Sequence, residues 1–171
     1  MNMGGLNQKK YENAILYFVK YCNNNYLGLT KLNKLIYYLD FLSYRDRKKS
    51  VTNDKYIHKD YGPVPDKIDD IIATLKQKGK LAINLMPWKT GHKYDFSIKK
   101  DPNLGVFDEY EKKLLEQICK EFELWSTDKI VNQSHLEAPW FYSKPFDVVD
   151  YKYSSSLNPF EDEPSLAGQQ N

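Results

Sequence analysis

The sequence lacks most of the features that would place a chain of this size in a specialised class. No part of its 171 residues approaches the roughly 18 consecutive apolar residues that a membrane-spanning helix needs. The opening segment, MNMGGLNQKK, has no apolar h-region, so no secretory signal is expected there. Cysteine is scarce. Cys22 and Cys119 each fall in a helix-like apolar pattern, and two reduced core thiols are expected. Three histidines, His58, His92 and His135, are scattered, without CxxC or HExxH spacing, so neither a metal nor a cofactor is expected. GxSxG, GxGxxG and Walker loops are also missing. These absences favour a non-enzymatic protein, and reduced thiols without an export signal point to the cytoplasm.

What remains has the make-up of a globular domain, 41% hydrophobic and 28% charged, long enough for a core without staples. One domain over residues 1–157 is expected, followed by a flexible acidic tail over 158–171. That tail carries Glu161, Asp162 and Glu163 and no Lys or Arg. The net charge of +2 therefore becomes +5 on the rest, a weaker basic bias than dedicated nucleic-acid binders show. Fourteen tyrosines fit either an interface-rich surface or an AT-rich coding sequence.

Hydrophobic periodicity predicts a mainly α protein with a small β element, an α+β multi-helix domain holding one β-hairpin and one further short strand. A first helix is expected from Gln8 to Asn24. A second, capped by Thr30, runs from Leu29 to Arg47 and is apolar nearly all round, which marks it as central. Residues 55–61 read as a strand, Gly62 and Pro63 as a turn, and Pro65 as the first position of a third helix reaching Lys78, with Gly79 behind it. The runs 81–86 and 92–98 read as the hairpin. Asp108 and Glu111 form a capping-box variant at the start of a fourth helix, and Ser126 caps a fifth through Gln133.

Three constellations stand out. Lys76, Lys78, Lys80, Lys89 and Lys93 lie on the third helix and hairpin, a layout similar to a winged-helix reading head with phosphate contacts; a plain helix and hairpin with solvated lysines is the favoured reading. His58 and Asp60 sit two apart on a strand, either an acid/base couple or, more simply, a polar pair facing solvent. On the second helix Asn33, Tyr37, Asp40 and Tyr44 share one face, which must meet buried partners or face another molecule. Together with His58 and Tyr61 they are the candidate partner-binding residues.

Three segments in order resemble one known family. KLNKLIYYLDF supplies Lys31, Leu32, Lys34 and Leu35; HKDYGPVPDKI supplies Gly62 and Pro63; SHLEAPW supplies His135, Pro139 and Trp140. The set is similar to the Panacea, or SocA-like, antitoxin domain of bacterial and phage toxin–antitoxin pairs. The resemblance implies a mostly helical domain that neutralises a toxin protein by direct binding, without catalytic residues. DNA-binding regulation of an operator is the alternative, and a hydrolase built on His58 and Asp60 a third. Most of the signature is expected to be structural, with His135 and Trp140 locking the last helix to the core and Trp140 acting as a core anchor.

Overall fold

Helix α2, Leu29–Arg47, runs through the middle of the protein with twelve of its residues buried, Lys31, Lys34 and Asp40 among them. The computed structural model describes residues 5–22 and 27–160. Around α2 lie α1 (Gln8–Tyr21), α4 (Glu109–Phe122), α5 (Thr127–Leu136), a strand pair β1 (Tyr56–Lys59) and β2 (Gly62–Pro65), and a 3-10 turn at Tyr151–Ser156. Helix α3 (Ile68–Gln77) packs on α1 and leads into β3 (Leu81–Trp88) and β4 (Gly91–Ile98); a four-residue helix α6 (Ala138–Phe141) follows α5. The apolar stripe of α1 (Tyr11, Ala14, Ile15, Phe18) meets that of α2 (Leu32, Leu35, Ile36, Leu39) and that of α4 (Leu114, Leu115, Ile118, Phe122) in one contiguous core.

The mainly α, α+β expectation holds, and so does the central helix. The local differences have identifiable causes. Gly62 and Pro63 open a second strand instead of only turning the chain, so Tyr56–Lys59 and Gly62–Pro65 form an antiparallel hairpin of their own. Pro65 ends β2 opposite Tyr56, and α3 starts at Ile68, not at Pro65. The N-cap of α2 is Gly28, not Thr30, and it brings no capping side chain. The β3–β4 hairpin closes on Lys89 and Thr90 alone, so its strands are longer than the sequence runs suggested. Helix α5 reaches Leu136, and Pro139 lies in the first turn of α6, where a missing N–H costs nothing. The capping box joins Asp108 and Glu111 as expected, and Gly79 follows α3 with φ +68°.

Cys22 and Cys119 are joined in a disulfide with Cα atoms 5.5 Å apart, tying the end of α1 to α4. The expected reduced thiols are corrected on this point. The periodicity argument placed both sulfurs in the core, and once two buried sulfurs face each other a bond can form between them. Toward the C-terminus, Phe160 is buried and its ring lies 6.3 Å from that of Phe122, so the packed chain runs past residue 157. The rest of the expected acidic tail, 161–171, lies outside the described residues. Among the described residues no helix is long and apolar enough to cross a membrane.

Candidate protein-binding surface

Two lysines of α2 explain why its motif has the form Lys-Leu-x-Lys-Leu. Leu32 and Leu35 point into the core, fully enclosed. Lys31, equally enclosed, extends its Nζ to the carbonyls of Glu123 and Trp125 at 2.9 and 2.8 Å, the open acceptors at the end of α4. A cation there also meets the negative end of the helix dipole. Burial lowers the Lys31 pKa to about 8. Lys34 lies deeper and donates to the carbonyl of Pro63 at 2.7 Å; burial lowers its pKa to about 7.

Gly62 permits that approach. A Cβ there would stand 2.5 Å from Ser134 Oγ and 2.8 Å from Lys34 Cε, and the residue holds φ +105°. Only glycine meets both conditions. Lys34, the Gly62–Pro63 pair and Ser134 come from the three separate sequence segments and meet at one point. Next to it, Glu137 accepts from the hydroxyls of Tyr38 and Tyr37 at 2.9 and 3.2 Å. Burial raises its pKa to about 7 against those hydrogen bonds and the pull of Lys34.

Beyond this junction lies a stack of three rings. The Trp140 indole sits between His58 and His135, with centroids 4.5 and 4.1 Å away. Its Nε1 donates to the carbonyl of Lys59 at 3.0 Å. His58 Nδ1 lies 2.7 Å from Ser143 Oγ, which in turn donates to the carbonyl of Trp140 at 3.0 Å. Burial lowers the pKa of both imidazoles, so neutral rings face the indole near pH 7. His135 Nε2 is buried without a hydrogen-bond partner. The stack joins α5 and α6 to β1. Trp140 itself is only half-buried, which corrects its expected place as a core anchor.

Several apolar residues in the segments that carry the stack are exposed. Leu136, next to His135, is 81% exposed; Phe141, next to Trp140, is 66% exposed, and its ring meets that of Tyr142 at 5.2 Å. Phe146 is 78% exposed although its N–H donates to the carbonyl of His58 at 2.9 Å. It holds φ +68°, a region that costs a bulky residue energy and needs a local reason. Val148, also exposed, forms an isolated antiparallel bridge with Ile57 on the free edge of β1. Exposed Tyr61 occupies the β1–β2 turn. Single exposed apolar residues are ordinary; several of them along the segments that carry the stack make this the candidate contact surface.

The predicted site residues divide accordingly. Tyr61 is exposed in the β1–β2 turn, and His58 is a buried member of the stack. His58 is buried beneath Trp140 while Asp60 is exposed in the turn, so the two form neither an acid/base couple nor a solvent-facing pair. The α2 stripe does not open as a unit. Tyr37 and Asp40 are enclosed, and Asp40 accepts from the N–H groups of Val51 and Thr52, both at 2.8 Å, and from the hydroxyls of Thr52 and Tyr56. Tyr44 is half-buried against Tyr151, and Asn33 is half-buried with its Oδ1 unpaired. The lysines split as well. Lys78 and Lys80 reach Glu12 at 2.9 and 3.8 Å at the hairpin base, where exposed Lys76 shares α3 with Asp69 and Asp70. Lys89 lies in the turn at the other end of the arm, roughly 25 Å off for eight-residue strands, and Lys93, opposite Met86, lies roughly 16 Å from the base. The residues missed from the sequence, Leu136, Phe141, Phe146 and Val148, lie beyond the last helix expected from the sequence; the aromatic density there, WFYSKPF, was the available signal.

The fold is a mainly helical α+β domain in which the motif residues on α2, β2 and α5 build much of the frame. The family described as "Antitoxin SocA-like, Panacea domain" matches residues 32–141, more than half of the chain, and the chain belongs to that family. No curated protein and no solved structure matches it significantly.

Proposed function

We propose that this protein is an antitoxin that neutralises a toxin protein by direct binding, and that the aromatic surface around Trp140 is the contact. The observation behind the reading is the combination of family membership with an exposed apolar cluster held rigid by the His58–Trp140–His135 stack. Aromatic groups on a rigid frame lose little entropy when a partner covers them. Neutralisation is then stoichiometric occlusion and involves no catalytic step. A cytoplasmic site of action accompanies this reading through the family alone, since the cysteines no longer argue for it.

The test is co-expression with the product of the adjacent open reading frame. The expected result is restored growth and a stoichiometric complex by size-exclusion chromatography. Phe141→Ser with Phe146→Ser should keep the melting temperature, because both side chains are exposed, and should abolish the complex. Rescue at strongly sub-stoichiometric levels without a complex overturns direct binding. A complex that survives the double substitution overturns the assignment of this surface.

A further inference from the structure

The β3–β4 hairpin is a sheet of two strands, and among the described residues no third strand joins it. The register fixes which backbone groups its outer edges present. The Lys99 N–H donates to the carbonyl of Lys80 at 2.9 Å, one pair below Leu81 and Ile98. In an antiparallel ladder, hydrogen-bonded pairs alternate with pairs whose N–H and C=O groups turn outward. Counting on from Lys80, the pairs Ala82–Ser97, Asn84–Asp95 and Met86–Lys93 bond across the hairpin. Ile83 and Leu85 on β3, and Tyr94 on β4, therefore turn their backbone groups outward. The edge of β4 is backed at that point by the protein itself, since the Tyr94 carbonyl oxygen comes within 3.9 Å of where a Cβ on Gly28 would stand. The edge of β3 faces the opposite way, and the strand is exposed from Asn84 to Trp88, Leu85 at 60%. Nor is it protected by charge. Edge strands left to solvent commonly carry a lysine or another charge that discourages pairing, but LAINLMPW carries none.

We infer that β3 pairs with β3 of a second copy of this chain, antiparallel about a two-fold axis at Asn84, to give a four-stranded sheet. In that register Ile83 of each copy lies opposite Leu85 of the other, and their outward groups exchange four N–H···O=C bonds. An axis at Leu85 would set Ile83 against Pro87, which has no N–H to give. An axis at Ile83 would drive the second copy onto Leu81, which is buried at the base of the arm. The Asn84 register also places Ile83, which neighbours Phe96, beside the second copy's Leu85, which neighbours Tyr94, so an apolar row crosses all four strands. An uncharged edge is electrostatically complementary to itself, because no like charges meet when two copies approach. With β4 backed by the Gly28 segment, the assembly closes at two copies. The edge shares no residue with the Trp140 surface, so this inference stands or falls independently of the antitoxin reading.

The experiment is sedimentation velocity of the full-length protein over a range of concentrations. One pair of short strands covers less than the roughly 1,200 Å² of a tight interface, so a dimer with Kd between about 1 and 100 μM is expected. Asn84→Lys sets two like charges against each other on the axis and should weaken the dimer tenfold or more, as should Asn84→Glu. Both should keep the melting temperature, because Asn84 is exposed. An equimolar mixture of the two variants should dimerise at least about tenfold more tightly than either alone. Leu85→Pro removes an outward N–H without touching the β3–β4 bonds and should also abolish the dimer; should it unfold the protein, the Asn84 variants carry the test. A chain that stays monomeric to about 500 μM overturns the inference, as does a dimer indifferent to the Asn84 substitutions. A mixture no tighter than its components overturns the axis at Asn84, and oligomers larger than two overturn closure. A chain monomeric by itself, whose complex with the adjacent gene's product is lost in Asn84→Lys, overturns the second copy in favour of a strand of that product.

Discussion

Lys34 Nζ donates a 2.7 Å hydrogen bond to the carbonyl of Pro63, and that bond forms only because Gly62, one residue earlier, has no side chain. A buried amine facing a single backbone acceptor is a costly arrangement, and it persists because the chain around it is fixed from three directions. Helix α2 supplies the lysine, β2 the carbonyl, and α5 the Ser134 hydroxyl that crowds the same spot.

Gly62→Ala should therefore be among the most damaging single-methyl changes in the protein. The new Cβ would meet Ser134 Oγ at 2.5 Å and the end of Lys34 at 2.8–2.9 Å, at φ +105°. A backbone penalty of about 1–2 kcal/mol adds to the steric one, for a total of roughly 2–4 kcal/mol. Urea melts measure it directly. Gly79→Ala is the control, because it also has positive φ but nothing lies within 4 Å of its Cβ position, so it should cost only the backbone part. Equal losses for the two variants would show that the Lys34–Ser134 approach does not constrain Gly62.

The disulfide gives a second expectation. Cys22 and Cys119 are 97 residues apart and both buried. Closing a loop of that length restricts the unfolded chain by about 4–5 kcal/mol in the entropic account, and disulfides typically deliver 2–4 kcal/mol. Reduction, or Cys22→Ser with Cys119→Ser, should lower the melting temperature markedly. The oxidised native protein should resist alkylation of these sulfurs until it is denatured and reduced. Free thiols titrating in the denatured, unreduced protein would contradict the bond.

Much of the frame was legible in the sequence because helix periodicity and capping are local. The bounds of α2, the Asp108–Glu111 capping box and Ser126 as a cap follow from residues within four positions of one another. What stayed hidden depended on distant partners. Pro65 looks like a helix start until Tyr56 is seen opposite it in β1. The cysteines look like separate core thiols until α1 and α4 are known to meet. For the candidate surface, His58 and Tyr61 were picked out, but Phe141 and Phe146 were not. An exposed aromatic and a buried one look alike in a sequence, and only the folded chain shows that these two are uncovered.

Asp40 shows how a buried charge on the central helix is tolerated, and its behaviour has a definite sign with pH. Its carboxylate is fully enclosed and accepts from two backbone N–H groups and the hydroxyls of Thr52 and Tyr56, with no cation among these donors. Burial raises its pKa to about 6, because desolvation outweighs the four donors that favour the charged form. The folded state thus holds a proton that the unfolded chain, with a pKa near 3.8, gives up. Stability from this group is fully present below about pH 4 and is lost as pH rises to about 6. Over that window the change is on the order of 3 kcal/mol at most. Asp40→Ala removes the titration and strands three buried donors, the Val51 and Thr52 N–H groups and the Thr52 hydroxyl, while the Tyr56 hydroxyl keeps the Ile36 carbonyl, so at pH 7 it should cost about 3 kcal/mol. Urea melts of both proteins at pH 4.5 and pH 7 separate these effects. The gap between wild type and Asp40→Ala should be wider at pH 4.5, while the influence of Glu137 and the two histidines cancels in the difference. A gap that narrows in acid would mean that the donors, and not desolvation, dominate at Asp40. A variant as stable as the wild type at pH 7 would mean that the network does not hold the Val51–Thr52 turn to α2.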